Sequence, residues 1–294
     1  SYKDLPLNIY QFSNKFRDEL RASGGLLRVR EFLMKDAYSY STEDQFPAIY
    51  DRYWKAYEDI FKELGLDTDV VKADNGYIGG DYCHEFVSPS EVGESTYFID
   101  ESSGYAAHED VAVFDKSTDF NFDSQARELQ RVEAKRGHTM QDGVDLHGIE
   151  LPGHIKNVVY KTSDKRIVLA CLRGDLNLNE TKLLAALPDR DLAGELEPLT
   201  EDEIRSELGS VAGFISPVGV SESFKRAQSA KKRKESLKLV IVADETVLEM
   251  INGCSGANRQ DLDFVNINYG RDFEADIVSD IAIAYSGAKS TSGG

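Results

Sequence analysis

The chain has 294 residues, of which 41% are hydrophobic and 10% aromatic, which is enough for the cores of about two domains. Its formal charge of −18, from 34 Lys and Arg against 52 Asp and Glu, argues against a general nucleic-acid binder, so any anionic ligand should meet a local cluster of cations. No apolar run approaches the roughly 20 residues of a membrane span. The three cysteines, Cys83, Cys171 and Cys254, stand far apart without a CxxC motif, which favours a reducing cytosol over a disulfide framework or a zinc site.

The first predicted element is an antiparallel hairpin. Two aromatic and aliphatic runs, residues 8–20 and 27–38, flank a Ser-Gly-Gly tip that we expect to be mobile. Strand alternation places Arg28, Arg30 and Phe32 on one face, with Arg17 and Glu19 on the partner strand. The paired surface is therefore predicted to offer cations, a carboxylate and a flat ring together.

A helix is predicted next, over residues 42–65. Thr42 and Gln45 fit a capping box, and Gly65 stands where a helix would stop. Aromatic and aliphatic residues recur between them at helical spacing, so this stripe is predicted to pack in a core.

Residues 69–86 are typical of a strand, a glycine-rich turn and a second strand. The second strand contains His84, and the glycines before it favour close backbone approach to a ligand.

A polar, aliphatic-poor stretch after Phe114 indicates a domain junction, and a new alternation of elements follows it. A short helix is predicted first, and then the strands 158–162, 166–174 and 237–244.

Two helix starts and one loop lie between the last two of these strands. Asn179 is predicted to cap one helix, and Thr200 begins a capping box for another. Gly209, Gly213 and Pro217 follow at four-residue spacing, and the proline and β-branched neighbours favour a rigid loop.

The last segment returns to the aromatic character of the opening, which predicts that one domain is inserted into another. We expect residues 1–123 and 257–294 to belong to the outer domain and residues 124–256 to form the inserted one.

The hairpin sequence resembles motif 2 of the class II aminoacyl-tRNA synthetases, in which FRxE, a loop and RxxxFxxxD follow one another. SYKDLPLNIYQFSNKFRDE, REFLMKDAYSY and IGGDYCHEF are similar to bacterial-type prolyl-tRNA synthetases, and LRGDLNLNETKL with the 209–217 loop is similar to their inserted editing domain. The residues that match motif 2 are Phe16, Arg17, Glu19, Arg28, Phe32 and Asp36.

This resemblance implies an α/β fold of the α+β kind, in which the antiparallel sheet and flanking helices of a class II synthetase are interrupted by an α/β editing domain. It also implies a cytoplasmic proline–tRNA ligase that uses ATP and Mg²⁺, acts on proline and its tRNA, is a homodimer at full length and involves no membrane. Arg17 would stabilise charge on the α-phosphate, Glu19 would accept from the adenine amino group, and Phe32 would stack on the ring. Arg28 completes this ATP-binding set, and His84 would line the proline pocket.

The inserted domain implies a second, hydrolytic chemistry. A pocket sized for proline cannot strongly exclude alanine, because missing methylenes contribute only ~1–3 kcal/mol, a limit for which aminoacyl-tRNA synthetases are the general example. By resemblance Lys161 is the editing lysine, holding the terminal phosphate or polarising the ester of alanyl-tRNA. The remaining residues of this editing pocket would be Arg173, Gly174 and Asp175, shaping the turn beside Lys161, and Gly209, Gly213 and Pro217, in a loop that binds the alanyl group and offers N–H donors to the oxyanion.

Several family features lie outside these 294 residues: motif 1, the proline-recognising TxE loop, motif 3 and the anticodon-binding domain. We therefore expect a fragment that cannot make prolyl-adenylate by itself. Asn252 and Asp263 stand where Asp and His are expected, which places the editing rate or specificity in question. The alternatives are a stand-alone hydrolase of mischarged tRNA and a non-catalytic tRNA-binding paralogue, and the intact motif 2 set argues against the paralogue.

Overall fold

The computed structural model describes residues 2–76, 79–80, 82–123, 125–231 and 237–291. The chain divides into two compact units, Ser1–Asp69 and Val70–Gly294. This division does not follow the predicted junction near residue 124, and the domain boundaries above stay a prediction. Within the described residues, no helix is both long and apolar enough to cross a membrane.

The first unit contains the predicted hairpin, which is confirmed. Strand β1, Leu7–Phe16, pairs antiparallel with β2, Glu31–Tyr40, from Leu7 opposite Tyr40 to Phe16 opposite Glu31. The strands stop earlier than predicted at the tip, because Gly24 and Gly25 turn the connection with φ values of 63° and 66°.

Helix α1, Phe46–Glu63, completes the first unit. It begins later than predicted, with a proline in its first turn and Gln45 as its N-cap. The expected capping box is present in one half, since the Gln45 side-chain oxygen accepts from the Thr42 N–H at 3.3 Å. Gly65 follows the helix with a φ of 69°, as predicted. Ile49 is buried, whereas Tyr57 and Ile60 are nearly half exposed, so the predicted core stripe is only partly packed.

The second unit is built around three sheets. In chain order its strands are β3 Asp69–Lys72, β4 His84–Val87, β5 Tyr97–Asp100, β6 Tyr105–His108, β7 Gln130–Glu133, β8 Ile155–Thr162, β9 Arg166–Arg173, β10 Leu196–Pro198, β11 Lys238–Ala243, β12 Gly253–Gly256, β13 Leu262–Ile267 and β14 Ile277–Val278. Its helices are α2 Met140–His147, α3 Glu180–Ala186, α4 Arg190–Ala193, α5 Glu201–Glu203, continued as a π-helix Ile204–Leu208, and α6 Val220–Ser229. Their sheet orders are β4-β3-β6-β5, β10-β8-β9-β11-β14 and β12-β13-β7.

The five-stranded sheet forms the middle layer of this unit. β8 and β9 are antiparallel, β9 and β11 are parallel, and every residue of β9 is buried. Alternate β9 side chains enter two hydrophobic clusters: Val168 packs with Leu183 of α3, and Leu169 packs in the cluster that holds Phe224 of α6 and Phe264 of β13. This layering of helices and strands on a mixed sheet confirms the α/β class.

The predicted caps in this unit are also confirmed. Asn179 accepts from the backbone N–H of Lys182, and Thr200 forms a reciprocal capping box with Glu203. The β5–β6 hairpin was not predicted, because its strands have only four residues each. All three cysteines are free, and Cys171 and Cys254 are buried.

Candidate functional sites

The hairpin of the first unit brings four predicted residues together, and we call Arg17, Glu19, Arg28 and Phe32 the hairpin cluster. The Arg17 guanidinium carbon lies 5.1 Å from the centroid of the Phe32 ring, and Arg28 Nε lies 3.3 Å from a Glu19 carboxylate oxygen. Arg30 steadies the turn by donating through Nε to the Glu19 carbonyl at 2.8 Å. Flat ring, carboxylate and cations thus share one end of the hairpin, as predicted, but Arg17, Glu19 and Arg28 lie in the connection beyond the paired strands.

Arg17 is the cation of this cluster that is available to bind an anionic ligand. It is exposed, and among the residues that the structure describes it forms no ion pair. A guanidinium held against an aromatic face keeps its charge and its N–H donors, so this group can receive a phosphate.

His84 belongs to the second unit, where it is the first residue of β4. Burial, with a smaller contribution from Lys72, lowers the pKa of His84, so the ring is neutral near pH 7. Its place in a proline pocket stays a prediction.

The second unit holds a cavity of about 330 Å³, which we call the central cavity. That volume lies at the lower end of small-molecule sites and suits an aminoacyl ester rather than an oligonucleotide. Its lining residues are Arg136, His138, Thr139, Met140, Gly143, His154, Ile155, Lys156, Asn157, Gly213, Ile215, Cys254, Ser255, Gly256 and Asp263.

Lys156 is among the lining residues, but its amine points away from the cavity, because its neighbours Ile155 and Asn157 face the cavity and successive strand residues point to opposite faces. Its Nζ donates to the Leu176 carbonyl and to Asn177 Oδ1 at 3.1 Å, so the amine is fixed by the turn that follows β9. Burial lowers the pKa of Lys156, an effect that the Asp175 carboxylate partly opposes.

The predicted turn of Arg173, Gly174 and Asp175 lies beside Lys156, and the expectation that it lies beside Lys161 is wrong. β8 and β9 run antiparallel with Ile155 opposite Arg173, so the end of β9 meets the start of β8. Arg173 Nε donates to Asp175 at 2.6 Å, and a Cβ on Gly174 would come within 2.4 Å of the Leu151 carbonyl oxygen, so only glycine fits there.

Lys161 lies near the opposite end of β8 and does not line the central cavity. Its Nζ is 2.9 Å from Glu203 and 3.1 Å from Glu197, and these carboxylates raise the pKa of Lys161. Lys156 and Lys161 are five residues apart, so they point to opposite faces of the strand. The catalytic role assigned to Lys161 by resemblance stays a prediction.

The 209–219 loop covers one side of the central cavity. Gly213, with a φ of 77°, lines the cavity, and a Cβ there would lie 2.6 Å from the His138 ring. Gly209 and Pro217 do not line it. Gly209 instead ends the π-helix with a φ of 71°, and the Pro217 carbonyl accepts from Val220 at the start of α6.

Buried Asn258 holds this loop in place. Its Oδ1 accepts from Ser210 Oγ at 2.8 Å and from the Ser216 N–H at 3.0 Å, while its Nδ2 donates to the carbonyls of Ser216 and Val218. The expected row of free N–H donors is therefore reduced, since the N–H groups of Phe214, Ser216 and Val218 donate within the protein. Over the described part of the chain, the N–H groups of Gly213 and Ile215 have no protein acceptor, and both residues line the cavity.

An ionic network forms the wall of the central cavity next to the loop. Arg136 binds both carboxylate oxygens of Asp263 at 2.7 Å, and His147 donates to Asp263 at 2.8 Å. Arg136 also donates to the Gly213 carbonyl at 3.2 Å and lies over the Phe214 ring. Burial opposes the charge of Asp263, but the bonds from His147 and Arg136 outweigh it and hold its pKa below the usual value.

The ligand atoms of His147, Cys254 and Asp263 lie within 4.8 Å of one another, a spacing compatible with a metal ion. The Arg136 guanidinium already occupies both oxygens of Asp263 and supplies the positive charge there, and burial raises the pKa of the Cys254 thiol to about 12. These donors therefore do not fit a metal well. Asn252 lies away from the cavity lining, where its side chain bonds Asp123 and the backbone of residues 125 and 127.

Sequence reasoning missed Arg136, His147 and Asn258. The segment IKNVVYKT contains two lysines at an odd separation, and only the structure shows that the Lys156 amine is held at the turn after β9, on the face opposite to Asn157 and Lys161. Arg136 and Asp263 are separated by 127 residues, and no local pattern joins them.

Comparison with known proteins finds matches to two protein families. Residues 1–136 match the family described as tRNA synthetase class II core domain (G, H, P, S and T), and residues 134–273 match the family described as aminoacyl-tRNA editing domain. The proline–tRNA ligase 1 of Bacillus thuringiensis subsp. konkukian (strain 97-27) is 36% identical over 298 residues, covering 100% of this chain and 48% of the relative. The proline–tRNA ligase of Bacillus cereus (strain AH820) matches with the same identity and coverage.

The chain thus spans about half the length of the curated relatives that it matches. Among solved structures, the hypothetical protein APE2540 is 18% identical with a TM-score of 0.38, covering 53% of this chain and 91% of that one.

Proposed function

The chain belongs to the class II aminoacyl-tRNA synthetases that carry an editing domain, and from that membership we propose that it serves a proline–tRNA ligase which also hydrolyses mischarged alanyl-tRNA. The observation that carries the hydrolytic part is the central cavity, which is lined by Gly213 and Ile215, whose N–H groups have no acceptor among the described residues, and by the ion pair of Arg136 and Asp263. The substrates are proline, ATP and tRNA, and we place the enzyme in the cytoplasm as a homodimer at full length.

The hairpin cluster fits the adenylating half of this function. Arg17 is held against Phe32 and forms no ion pair within the described residues, which suits charge that accumulates on a phosphate during carboxylate attack. Glu19 offers a carboxylate acceptor held by Arg28, as an adenine amino group requires. Mg²⁺, which the family implies, finds no ligand set in this cluster because Glu19 is bound to Arg28, so no step is derived through a metal.

The central cavity fits the hydrolytic half. Water adds to the ester carbonyl of alanyl-tRNA, the carbonyl oxygen takes the negative charge, and the bond to the ribose oxygen then breaks with that oxygen taking a proton. The N–H groups of Gly213 and Ile215 are positioned to stabilise the charged oxygen. Lys161, on the same face of β8 as the lining residues Ile155 and Asn157, is the lysine that the resemblance assigns to the ester or the terminal phosphate. The products are alanine and free tRNA.

Two matched lysine variants test which residue serves the cavity. Lys161→Ala should lower the rate of alanyl-tRNA deacylation by about 100-fold or more, the scale of removing one group that stabilises the charged oxygen. Lys156→Ala removes another lysine from the same strand and should change the rate less than about 2-fold, because its amine is held by Leu176 and Asn177 on the other face. The reverse result would reassign the reaction to Lys156.

A stand-alone hydrolase remains the second candidate, since the editing domain and its cavity lie together within residues 134–273. Proline-dependent pyrophosphate exchange by a chain of full relative length separates the two. Exchange that depends on Arg17 supports the ligase, and deacylation without any exchange supports the hydrolase.

A further inference from the structure

A second cavity, of about 410 Å³, lies on the other side of the 209–219 loop, and we call it the arginine cavity. Three arginines line it from three separate elements: Arg131 from β7, Arg226 from α6, and Arg259 from the turn between β12 and β13. The three arginines are far apart in the sequence, so no local motif predicts this cluster. They come together only in the folded chain, whose net charge is −18.

These three guanidinium groups carry unneutralised charge. None of them forms an ion pair with any described residue, although several other arginines of the unit, such as Arg136 and Arg166, bind carboxylates. Glu222 is the carboxylate among the lining residues, so the lining keeps a net positive charge. All three arginines are exposed and can reach a ligand.

The arginines are also positioned by their neighbours. Arg131 lies opposite Phe264 across the β7–β13 pair, with its guanidinium carbon 5.5 Å from the ring centroid. Arg226 donates to Ser223 Oγ at 3.1 Å, and the backbone before Arg259 is fixed by buried Asn258. A cation held by packing loses less side-chain freedom when it binds an anion than a free surface arginine does.

The arginine cavity and the central cavity share the same walls. On β13, Asp263 lines the central cavity and the next residue, Phe264, lines the arginine cavity, because neighbouring side chains point to opposite faces. In the covering loop, Gly213 lines the first cavity, whereas Gly209 and Gly219 line the second. The two cavities are therefore separated by one strand and one loop.

We propose that the arginine cavity binds backbone phosphodiesters of the RNA whose aminoacylated end enters the central cavity, an inference that rests on the function proposed above. Guanidinium groups bind phosphate oxygens through paired N–H donors, and three of them on one surface suit a chain of phosphates better than a single small anion. A protein of charge −18 repels RNA at long range, so such a local cluster is what contact with an RNA backbone requires.

The test is the salt dependence of binding between the 294-residue chain and uncharged tRNA bearing the proline anticodon. The triple variant Arg131→Gln, Arg226→Gln, Arg259→Gln is compared with the wild type across a series of KCl concentrations. Each phosphate contact contributes roughly 0.7–0.9 to the slope of log K against log salt, so the variant slope should be shallower by about two to three. Arg205→Gln is the matched control, because Arg205 is also exposed without an ion pair in the described chain and lines neither cavity.

Deacylation of alanyl-tRNA is followed in parallel, where the triple variant should raise KM about 10-fold or more and leave kcat within about 2-fold of the wild type. An unchanged salt slope in the triple variant, or no binding of tRNA by the wild type, overturns the inference. The two proposals fail separately: hydrolysis with an arginine-independent slope removes only the phosphate site, whereas an arginine-dependent slope without hydrolysis removes only the editing function. Unchanged thermal midpoints confirm that the variants are folded.

Discussion

The buried pair of Arg136 and Asp263 gives the sharpest prediction for stability. The side chains are 9% and 1% exposed, and both carboxylate oxygens accept at 2.7 Å. Two unit charges about 4 Å apart attract by about 4 kcal/mol at an effective dielectric constant of about 20. Removing one member of a buried pair costs about 3–5 kcal/mol, because the other charge is left buried and unpaired. Asp263→Asn should therefore lower the free energy of unfolding by about 3–5 kcal/mol at pH 7.

The pH dependence of that loss follows from the direction of the pKa shift. Hydrogen bonds from His147 and Arg136 hold the pKa of Asp263 below its usual value in the folded chain, despite burial. A depressed folded pKa means that the stabilisation is fully present above the unfolded pKa of about 3.9 and is lost as the pH falls through the folded pKa. The gap between the wild type and Asp263→Asn should thus stay constant from pH 7 to about 5 and narrow below about 4.

Urea unfolding monitored by far-UV circular dichroism measures this gap at each pH, with Asp261→Asn as the control for removing a nearby surface carboxylate. A loss at pH 7 of less than about 1 kcal/mol would show that the pair is solvated and that its charge does not stabilise the fold. A gap that is unchanged at pH 2.5 would instead mean that the aspartate stabilises by packing rather than by charge.

Three further changes test the loop and the hairpin. Gly213→Ala should abolish most deacylation, because its φ of 77° and the His138 ring 2.6 Å from the added atom exclude a Cβ. The control Gly270→Ala, with a φ of 78° and open space, should lower the free energy of unfolding by about 1–2 kcal/mol and keep the activity, and equal activities of the two variants in a deacylation assay would contradict this. Asn258→Ala should lower the free energy of unfolding, measured in urea, by about 2–5 kcal/mol, since four hydrogen bonds are lost and buried loop groups are left unsatisfied. A loss under about 1 kcal/mol would show that Asn258 does not hold the 209–219 loop in place. Phe32→Leu should weaken ATP binding about 5-fold by calorimetry, the scale of one aromatic contact with a cation, and an unchanged affinity would exclude stacking.

The parts of the fold that sequence predicted well depend on local chemistry. Glycines at the tip and aromatic strands on either side specify the hairpin, and the Thr200 side chain with Glu203 three residues later specifies a helix start. The prediction that the hairpin brings its cluster together was correct, although Arg17, Glu19 and Arg28 lie beyond the strand ends at Phe16 and Glu31, so the connection between the strands positions them.

The central cavity could not be derived in this way, because strand register and distant pairing decide it. Two lysines on one strand are equivalent in sequence, and only the pairing of Ile155 with Arg173 shows that Lys156 faces the turn of Asp175 and Asn177. The partner of Asp263 is likewise decided by three-dimensional packing, since β13 lies between β7 and β12 and so brings Asp263 next to residues far away in the chain.

The position of the Arg136–Asp263 pair suggests that it serves geometry more than stability. Apolar residues of similar volume often replace a buried ion pair without loss of stability, but they could not hold the Gly213 carbonyl. Arg136→Met with Asp263→Leu should therefore restore most of the stability that Asp263→Asn loses, while deacylation stays at least about 10-fold below the wild type. Wild-type KM and kcat in this double variant would show that the loop keeps its place without the guanidinium, and that the pair contributes only to folding.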